Sequence, residues 1–387
     1  MSHLISDIQA AFEQDQRYPK KAVSASDLPL SFESITDEWL TAVLCANIEG
    51  AKVTGHQLGP VDTGSSNRRR LQITYNEIGK ASGLPKGLFC KASHELANRI
   101  VLGVSGGAFT EVHFYNQIRP LLKIEAPKSF HANFDPVSFN SIIMLEDITN
   151  NVTEFCSHKT EMTFNRACSQ LKLLAELHGN SYSDQLIRSA IQHLPTWPEY
   201  FDNTEAFGMK EGSNSGFIAA EEVIPQNLFS RYENIWPCTL KSMEIHSKFP
   251  YFLSHGDVHL KNWYVAGNGE MGLSDWQCAT RGHWGRDLAY TISTALTVQN
   301  RRSWEKDLIK FYIETLKSSG GPAVSFDEAW MVYRQQLITA LTWWTITMSP
   351  TKDIPDMQPK DITLEFIRRI STAMDDLDTM DVLLDFS

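Results

Sequence analysis

One short polar segment constrains this chain more than any other. Residues 255–262 read His-Gly-Asp-Val-His-Leu-Lys-Asn, and an apolar run then leads to Leu273-Ser274-Asp275-Trp276. Asp257 and Asn262 stand five residues apart, a spacing that a compact loop aims into one cavity. Asp275 lies thirteen residues beyond Asn262. The interval reads as a hairpin: Trp263-Tyr264-Val265-Ala266, a Gly267-Asn268-Gly269 turn, then Met271-Gly272-Leu273-Ser274. Such a hairpin returns Asp275 to the side of Asn262, and an Asn and an Asp that converge in this way can bind magnesium. Phosphoryl transfer asks for this kind of set. It needs a carboxylate to orient the attacking hydroxyl and take its proton, oxygen ligands for Mg²⁺, and a cation to steady the phosphates. A lone Asp in a loop is usually a turn residue or a helix cap, but that reading leaves the whole set at this spacing unexplained.

The remaining composition narrows the class. A length of 387 residues suits two lobes, and 42% apolar with 21% charged residues allows a sizeable core. The net charge is -11 and the densest basic run is Arg68-Arg69-Arg70, which excludes nucleic acid as the expected partner. Six cysteines occur singly, so neither a zinc knuckle nor a redox dithiol is indicated. The first residues read as a short amphipathic helix and not as a signal peptide. The longest weakly polar stretch, Leu337 to Met348, has 12 residues and is too short to span a bilayer. The cytoplasm is the expected location. Oligomeric state is not legible.

Residues 36–46 read as a helix, 51–75 as strand, turn and strand, and 87–92 as a third strand. Residues 107–122 have helical periodicity, and 127–134 and 139–146 read as two more strands. This gives a small sheet with one helix inserted after the third strand. Residues 158–180 read as a long amphipathic helix stopped at His178-Gly179-Asn180. Further helices are expected near 217–248, 286–297, 302–318, 325–348 and 361–384, the last with Met374, Leu377, Met380 and Leu384 on its packed side. The layout is α+β: a sheet-rich N-terminal lobe over residues 1–146, a connector at 147–150, and a helical lobe over 151–387.

The His-Gly-Asp-x-His-x-x-Asn loop, the Asp275-Trp276-Gln277 that follows and the stretch Arg281 to Tyr290 resemble the aminoglycoside phosphotransferase family. Its relatives, the choline kinases and ecdysteroid-kinase-like enzymes, share the pattern. The resemblance runs from about residue 58 to about residue 318. It implies a protein-kinase-like two-lobe fold and an ATP- and Mg²⁺-dependent kinase acting on a hydroxyl of a small molecule. It also implies that Asp257 is the catalytic base, that Asn262 and Asp275 hold magnesium, and that Asp287 braces the catalytic loop from a helix behind it.

Other parts follow in the N-terminal lobe. Lys91 is the charged residue in the apolar strand Leu88-Phe89-Cys90-Lys91-Ala92, read either as a solvent-facing lysine or as a contact to the α- and β-phosphates. Glu111 sits where the family's helix glutamate is expected, to pair with that lysine. Gly64, Ser65 and Ser66 form a loop whose backbone N–H groups can cover phosphates, although it is neither GxGxxG nor a Walker loop. Glu146 and Ile148 lie in a segment resembling the family's hinge, where backbone groups take adenine. His255 is read as ordering the loop, His259 as approaching substrate or packing, and His178 as a packed helix end. Two rivals remain. A protein kinase needs a platform for peptide, yet only eleven residues separate Asp275 from Asp287 and they hold no Ala-Pro-Glu. Loss of Asp257, Asn262, Asp275 or Lys91 would support a catalytically weak, kinase-shaped binding protein, and all four are present. The resemblance puts the acceptor near the aromatic-rich 197–236 stretch and Trp343-Trp344, which favours a flat or apolar substrate over an aminoglycoside.

Overall fold

The computed structural model describes residues 2–205, 208–350 and 357–385. They form two compact units: Met1–Pro120 with Pro127–Asn150, and Leu121–Ala126 with Asn151–Ser387.

The first unit is built on an antiparallel sheet of six strands: β1 (Val53–Leu58), β2 (Asp62–Thr63), β3 (Asn67–Tyr75), β4 (Gly87–Ala92), β5 (Ser129–Phe134) and β6 (Ser141–Glu146). Their order is β1-β3-β4-β6-β5, with β2 hairpinned onto the start of β3. Alternation along the strands sorts the faces. Leu71, Ile73 and Tyr75 of β3 and Leu88, Cys90 and Ala92 of β4 enter one core with Phe32, Trp39 and Leu40 from the preceding segment. Lys91, one residue out of step, must leave on the other face. There the chain supplies two helices, Leu96–Ser105 and Gly107–His113, hinged at Gly106 with φ +80°. One helix was expected at this point, over 107–122. Beyond His113 that span continues as a π-helical turn, Phe114–Ile118, and a 3-10 turn, Arg119–Leu121.

The second unit is helical, with two small antiparallel sheets. One sheet orders β10 (Met271–Leu273), β9 (Trp263–Ala266) and β7 (Val152–Phe155). The other pairs β8 (Phe252–Ser254) with β11 (Thr280–Gly282). β9 and β10 are the hairpin read from the sequence, with Trp263 opposite Leu273 and Gly269 at φ +85° in its turn. The expected helix 217–248 is three shorter helices, Met209–Ala219, Gln226–Phe229 and Ile235–Ser247. The last expected helix breaks at Asp378, whose φ is +51°. The break shifts the phase, so Leu383 is buried and Leu384 is exposed.

Gly179 does not stop its helix, which runs from Phe164 to Ser183. It is there because another chain segment comes too close for a side chain: a Cβ would lie 2.7 Å from the carbonyl oxygen of Ser319, at the end of helix Val298–Ser318. Two effects therefore oppose each other in Gly179→Ala. Helix propensity favours alanine by about 1 kcal/mol, while overpacking against a backbone costs about 1–3 kcal/mol. The substitution is expected to lower the midpoint of urea or thermal unfolding. A raised midpoint would show that the helix and Ser319 are not in close contact.

Candidate active site

The geometric problem for residues 255–262 is to hold a loop rigid while burying it. The solution is a carboxylate from behind. Asp287, fully buried in helix Trp284–Ala295, accepts from the N–H of His255 at 2.7 Å, the N–H of Gly256 at 3.0 Å and the hydroxyl of Ser254 at 2.9 Å. His178 Nε2 approaches it at 3.3 Å, and Tyr312 caps the other ring nitrogen at 2.7 Å. His178 is thus part of the brace and lies inside its helix, not at a helix end. Burial alone would raise the Asp287 carboxyl; the bond and charge of His178, with the charge of Arg286, outweigh it and hold the group below its ordinary range. Arg286, the preceding residue, donates to the carbonyl of Gly256 at 2.8 Å. Gly256 itself has φ +80°, and a Cβ there would lie 2.4 Å from the carbonyl oxygen of Cys278.

His255 orders the loop, as read. Its Nε2–H donates to the carbonyl of Ser274 at 3.0 Å and its Nδ1 accepts the N–H of Asp257 at 3.2 Å. Burial keeps this ring neutral, which suits one donor and one acceptor.

Asp257, Asn262 and Asp275 come together on this frame. Asn262 Nδ2 donates to the Asp257 carbonyl at 2.7 Å and lies 3.3 Å from Asp257 Oδ2. The Asn262 carbonyl accepts the N–H of Ser274 at 2.9 Å and its hydroxyl at 3.0 Å. Asp275 is the next residue, in the left-handed region at φ +66°, a conformation that Asp tolerates better than most. With Nδ2 committed to Asp257, Asn262 keeps Oδ1 as an acceptor. Among the described residues no group of three or more His, Cys, Asp or Glu forms a metal cage. Mg²⁺ does not need one when phosphates and water complete its shell, so an Asn oxygen and an Asp carboxylate fit that ion.

Burial would push the Asp257 carboxyl up, but the charge and hydrogen bond of His259 and the hydroxyl of Tyr290 bring it down to about 2. His259 Nε2 lies 3.5 Å from Asp257 Oδ2. Tyr290 donates to Oδ1 at 3.0 Å. The reading from sequence missed Tyr290 and Arg286. Tyr290 stands three residues after Asp287 and four after Arg286, and that spacing was the available signal, because positions three and four apart share a helix face.

In the first unit, Lys91 Nζ and Glu111 Oε1 are 2.7 Å apart, both side chains buried. Glu111 belongs to helix Gly107–His113, so the solvent-facing alternative for Lys91 does not apply. Gly64, Ser65 and Ser66 form the tip joining β2 to β3, and Asn98 Nδ2 donates to the carbonyls of Gly64 and Ser65, each at 2.9 Å. Glu146 ends β6 and Ile148 opens the 3-10 turn Ile148–Asn150.

The aromatic residues expected around an acceptor are largely core. Trp344 is buried between His259, at 5.3 Å between ring centres, and Phe366, at 4.6 Å. Trp197, Tyr200, Phe201 and Trp236 form one cluster with half-buried Trp343 against it; residues 206 and 207 of that stretch lie outside those described. Two cavities in this unit, of about 460 and 450 Å³, are lined by neither Trp343 nor Trp344.

Residues 61–320, more than half of the chain, match the sequence profile of the Ecdysteroid kinase-like family. Among solved structures, choline kinase from Cryptosporidium parvum Iowa II aligns at 12% identity with a TM-score of 0.50, covering 89% of this chain and 95% of that one. A microcompartment-associated aminopropanol kinase aligns at 12% identity and TM-score 0.50, covering 84% and 92%. At such identity the likeness is one of fold, that of protein-kinase-like small-molecule kinases. No curated protein matches the sequence.

The brace makes a prediction about acid stability. The folded-state value of Asp287 lies below its ordinary 3.8, so its stabilisation is present above that ordinary value and is lost as pH falls through the folded one. Asp287→Asn is expected to lower stability at pH 7 by about 3 kcal/mol, since an amide cannot satisfy four converging donors. It should also flatten the dependence of Tm on pH between about pH 5 and 3. An equally steep acid limb in the variant would remove Asp287 as its source.

Proposed function

We propose that this chain, which belongs to the ecdysteroid kinase-like family, is an ATP- and Mg²⁺-dependent phosphotransferase acting on a hydroxyl group of a small molecule. The observation that carries the reading is the convergence of Asp257, Asn262 and the Ser274–Asp275 step on one loop braced by Asp287. Asp257 is the catalytic base. The acceptor hydroxyl donates to its carboxylate, the acceptor oxygen attacks the γ-phosphorus, and the bond to the β–γ bridging oxygen breaks as ADP leaves. The hydroxyl proton passes to Asp257. A carboxylate held down at about 2 is a weak base, so its main contribution is aim. That suits a loose transition state in which proton transfer comes late.

Asn262 and Asp275 are the residues that would hold Mg²⁺, which supplies charge neutralisation at the phosphates. Lys91, fixed by Glu111, would contact the α- and β-phosphates. Ser65 and Ser66 would cover them through backbone N–H groups, beside Gly64, whose N–H is turned to the Ser66 carbonyl at 3.1 Å, and the backbone at Glu146 and Ile148 would take adenine. A buried lysine–carboxylate pair supports this assignment, because such pairs contribute little net stability against an apolar replacement. A peptide acceptor is disfavoured by the chain after Asp275. It passes through a 3-10 turn, Trp276–Cys278, and is then tied to β8 as β11.

The test is ATP with Mg²⁺ against a panel of ecdysone, choline, ethanolamine, aminopropanol and kanamycin, with metabolite extracts alongside. The readout is a mass gain of one phosphoryl group. Phosphorylation of any member is the expected result, and no transfer to any of them would count against the reading. Asp257→Asn should retain fold and ATP affinity and lower kcat by about 10²–10⁴-fold; a variant that keeps most of its kcat would remove Asp257 as the base.

Metal binding has its own readout. Asp275→Ala should abolish the tightening of ATP binding by Mg²⁺ in calorimetric titration. An unchanged metal effect would locate the ligands elsewhere.

A further inference from the structure

The two carboxylate oxygens of Asp257 are treated differently. Oδ1 accepts a hydrogen bond from the Tyr290 hydroxyl at 3.0 Å. Oδ2 has Asn262 Nδ2 at 3.3 Å and His259 Nε2 at 3.5 Å, both at the long limit of such contacts. Tyr290 is fully buried in helix Trp284–Ala295, three residues after Asp287. One face of that helix therefore fixes the loop twice: Asp287 takes the backbone N–H groups of His255 and Gly256, and one turn later Tyr290 takes the side chain of Asp257.

We propose that Tyr290 is a positioning residue for Asp257, locking the carboxylate so that Oδ2 alone is offered to the acceptor hydroxyl. This rests on the phosphotransferase reading above. The physical reason is rotational. The terminal torsion of an aspartate is broad and roughly two-fold, so the backbone brace does not aim the carboxylate. The Tyr290 bond to Oδ1 restricts that freedom and leaves to the acceptor the oxygen whose own contacts, to Asn262 and His259, are the longer ones. The phenol is suited to the task. Burial, with the Asp257 charge, pushes its ionisation well above the ordinary phenol range, so it stays a neutral donor. Its ring is held in turn by the Arg286 guanidinium, 5.5 Å from the ring centre. Packing alone does not require the hydroxyl, because phenylalanine fills the same space.

The test uses the full chain and water as acceptor, measuring Mg²⁺-dependent ADP release from ATP for wild type, Tyr290→Phe, Asp257→Asn and the double variant. Y290F is expected to lower kcat by about 10–100-fold, with KM for ATP within about two-fold and an almost unchanged Tm. In the Asp257→Asn background it should cost nothing further, because its effect runs through Asp257. A Y290F enzyme with wild-type kcat overturns the proposal. So does an equal loss in both backgrounds, which marks a packing role independent of Asp257. If Asp257→Asn itself keeps wild-type kcat, Asp257 is not the base and this proposal falls with that role; if wild type releases no ADP, the phosphotransferase reading falls and takes this one with it. A crippled Asp257→Asn beside an active Y290F sinks the positioning role alone.

Discussion

The second unit depends on one buried carboxylate. Asp287 is an anion without solvent, and such a group is tolerated only when donors surround it. Two of its donors are consecutive backbone N–H groups, of His255 and Gly256, and the third is the hydroxyl just before them. The loop cannot move without stripping the charge, and the charge cannot be removed without freeing the loop. That coupling explains the glycine. Gly256 must turn through positive φ to present its N–H while passing within reach of the Cys278 carbonyl. It also explains how Asn262 and Asp275 are held: His255 grips the carbonyl of Ser274, and Ser274 grips that of Asn262.

The first unit shows the same economy in one strand. β4 alternates Leu88, Cys90 and Ala92 into the core, which forces Lys91 to the opposite face. A lysine there needs a desolvated partner, and Glu111 supplies it from a helix that begins immediately after the Gly106 turn. The Lys91–Glu111 pair buries two charges that apolar substitutes often replace without loss of stability. Function is the simplest reason to keep them.

The parts of this architecture that were legible in sequence are those written as local contrast. The loop 255–262 is polar between apolar runs, the hairpin has its Gly-Asn-Gly turn, and Lys91 is a charge in an apolar strand. What was illegible depends on contacts between distant residues. Helix Leu96–Ser105 went unread because it buries Asn98 and Arg99, so its inward face is not apolar; Arg99 is bound to Asp15 and to the carbonyl of Ser138. Gly179 looked like a stop because glycine ends helices, yet its role is close approach to Ser319. Leu384 was assigned inward because the break at Asp378, which resets the helical phase, has no residue signature of its own.

The tryptophans give a last instance, in which charge explains packing. Arg286 is buried, and its Nη2 has one partner, the Gly256 carbonyl. Its Nε and Nη1 find no hydrogen-bond acceptor among the described residues. Burial correspondingly weakens its hold on its proton, against the pull of Asp287 and Asp257. What makes such a cation tolerable is the face of Trp197, whose centre lies 3.6 Å from the guanidinium carbon, with Trp343 at 5.9 Å. Cation–π attraction is strongest where water is excluded and where the ring is indole. The aromatic richness of this region therefore has a cause that needs no aromatic substrate. The rings house the arginine, the arginine holds the carbonyl of Gly256, and Gly256 precedes Asp257. An acceptor preference inferred from tryptophan count alone would mistake the support of the loop for the wall of a binding site.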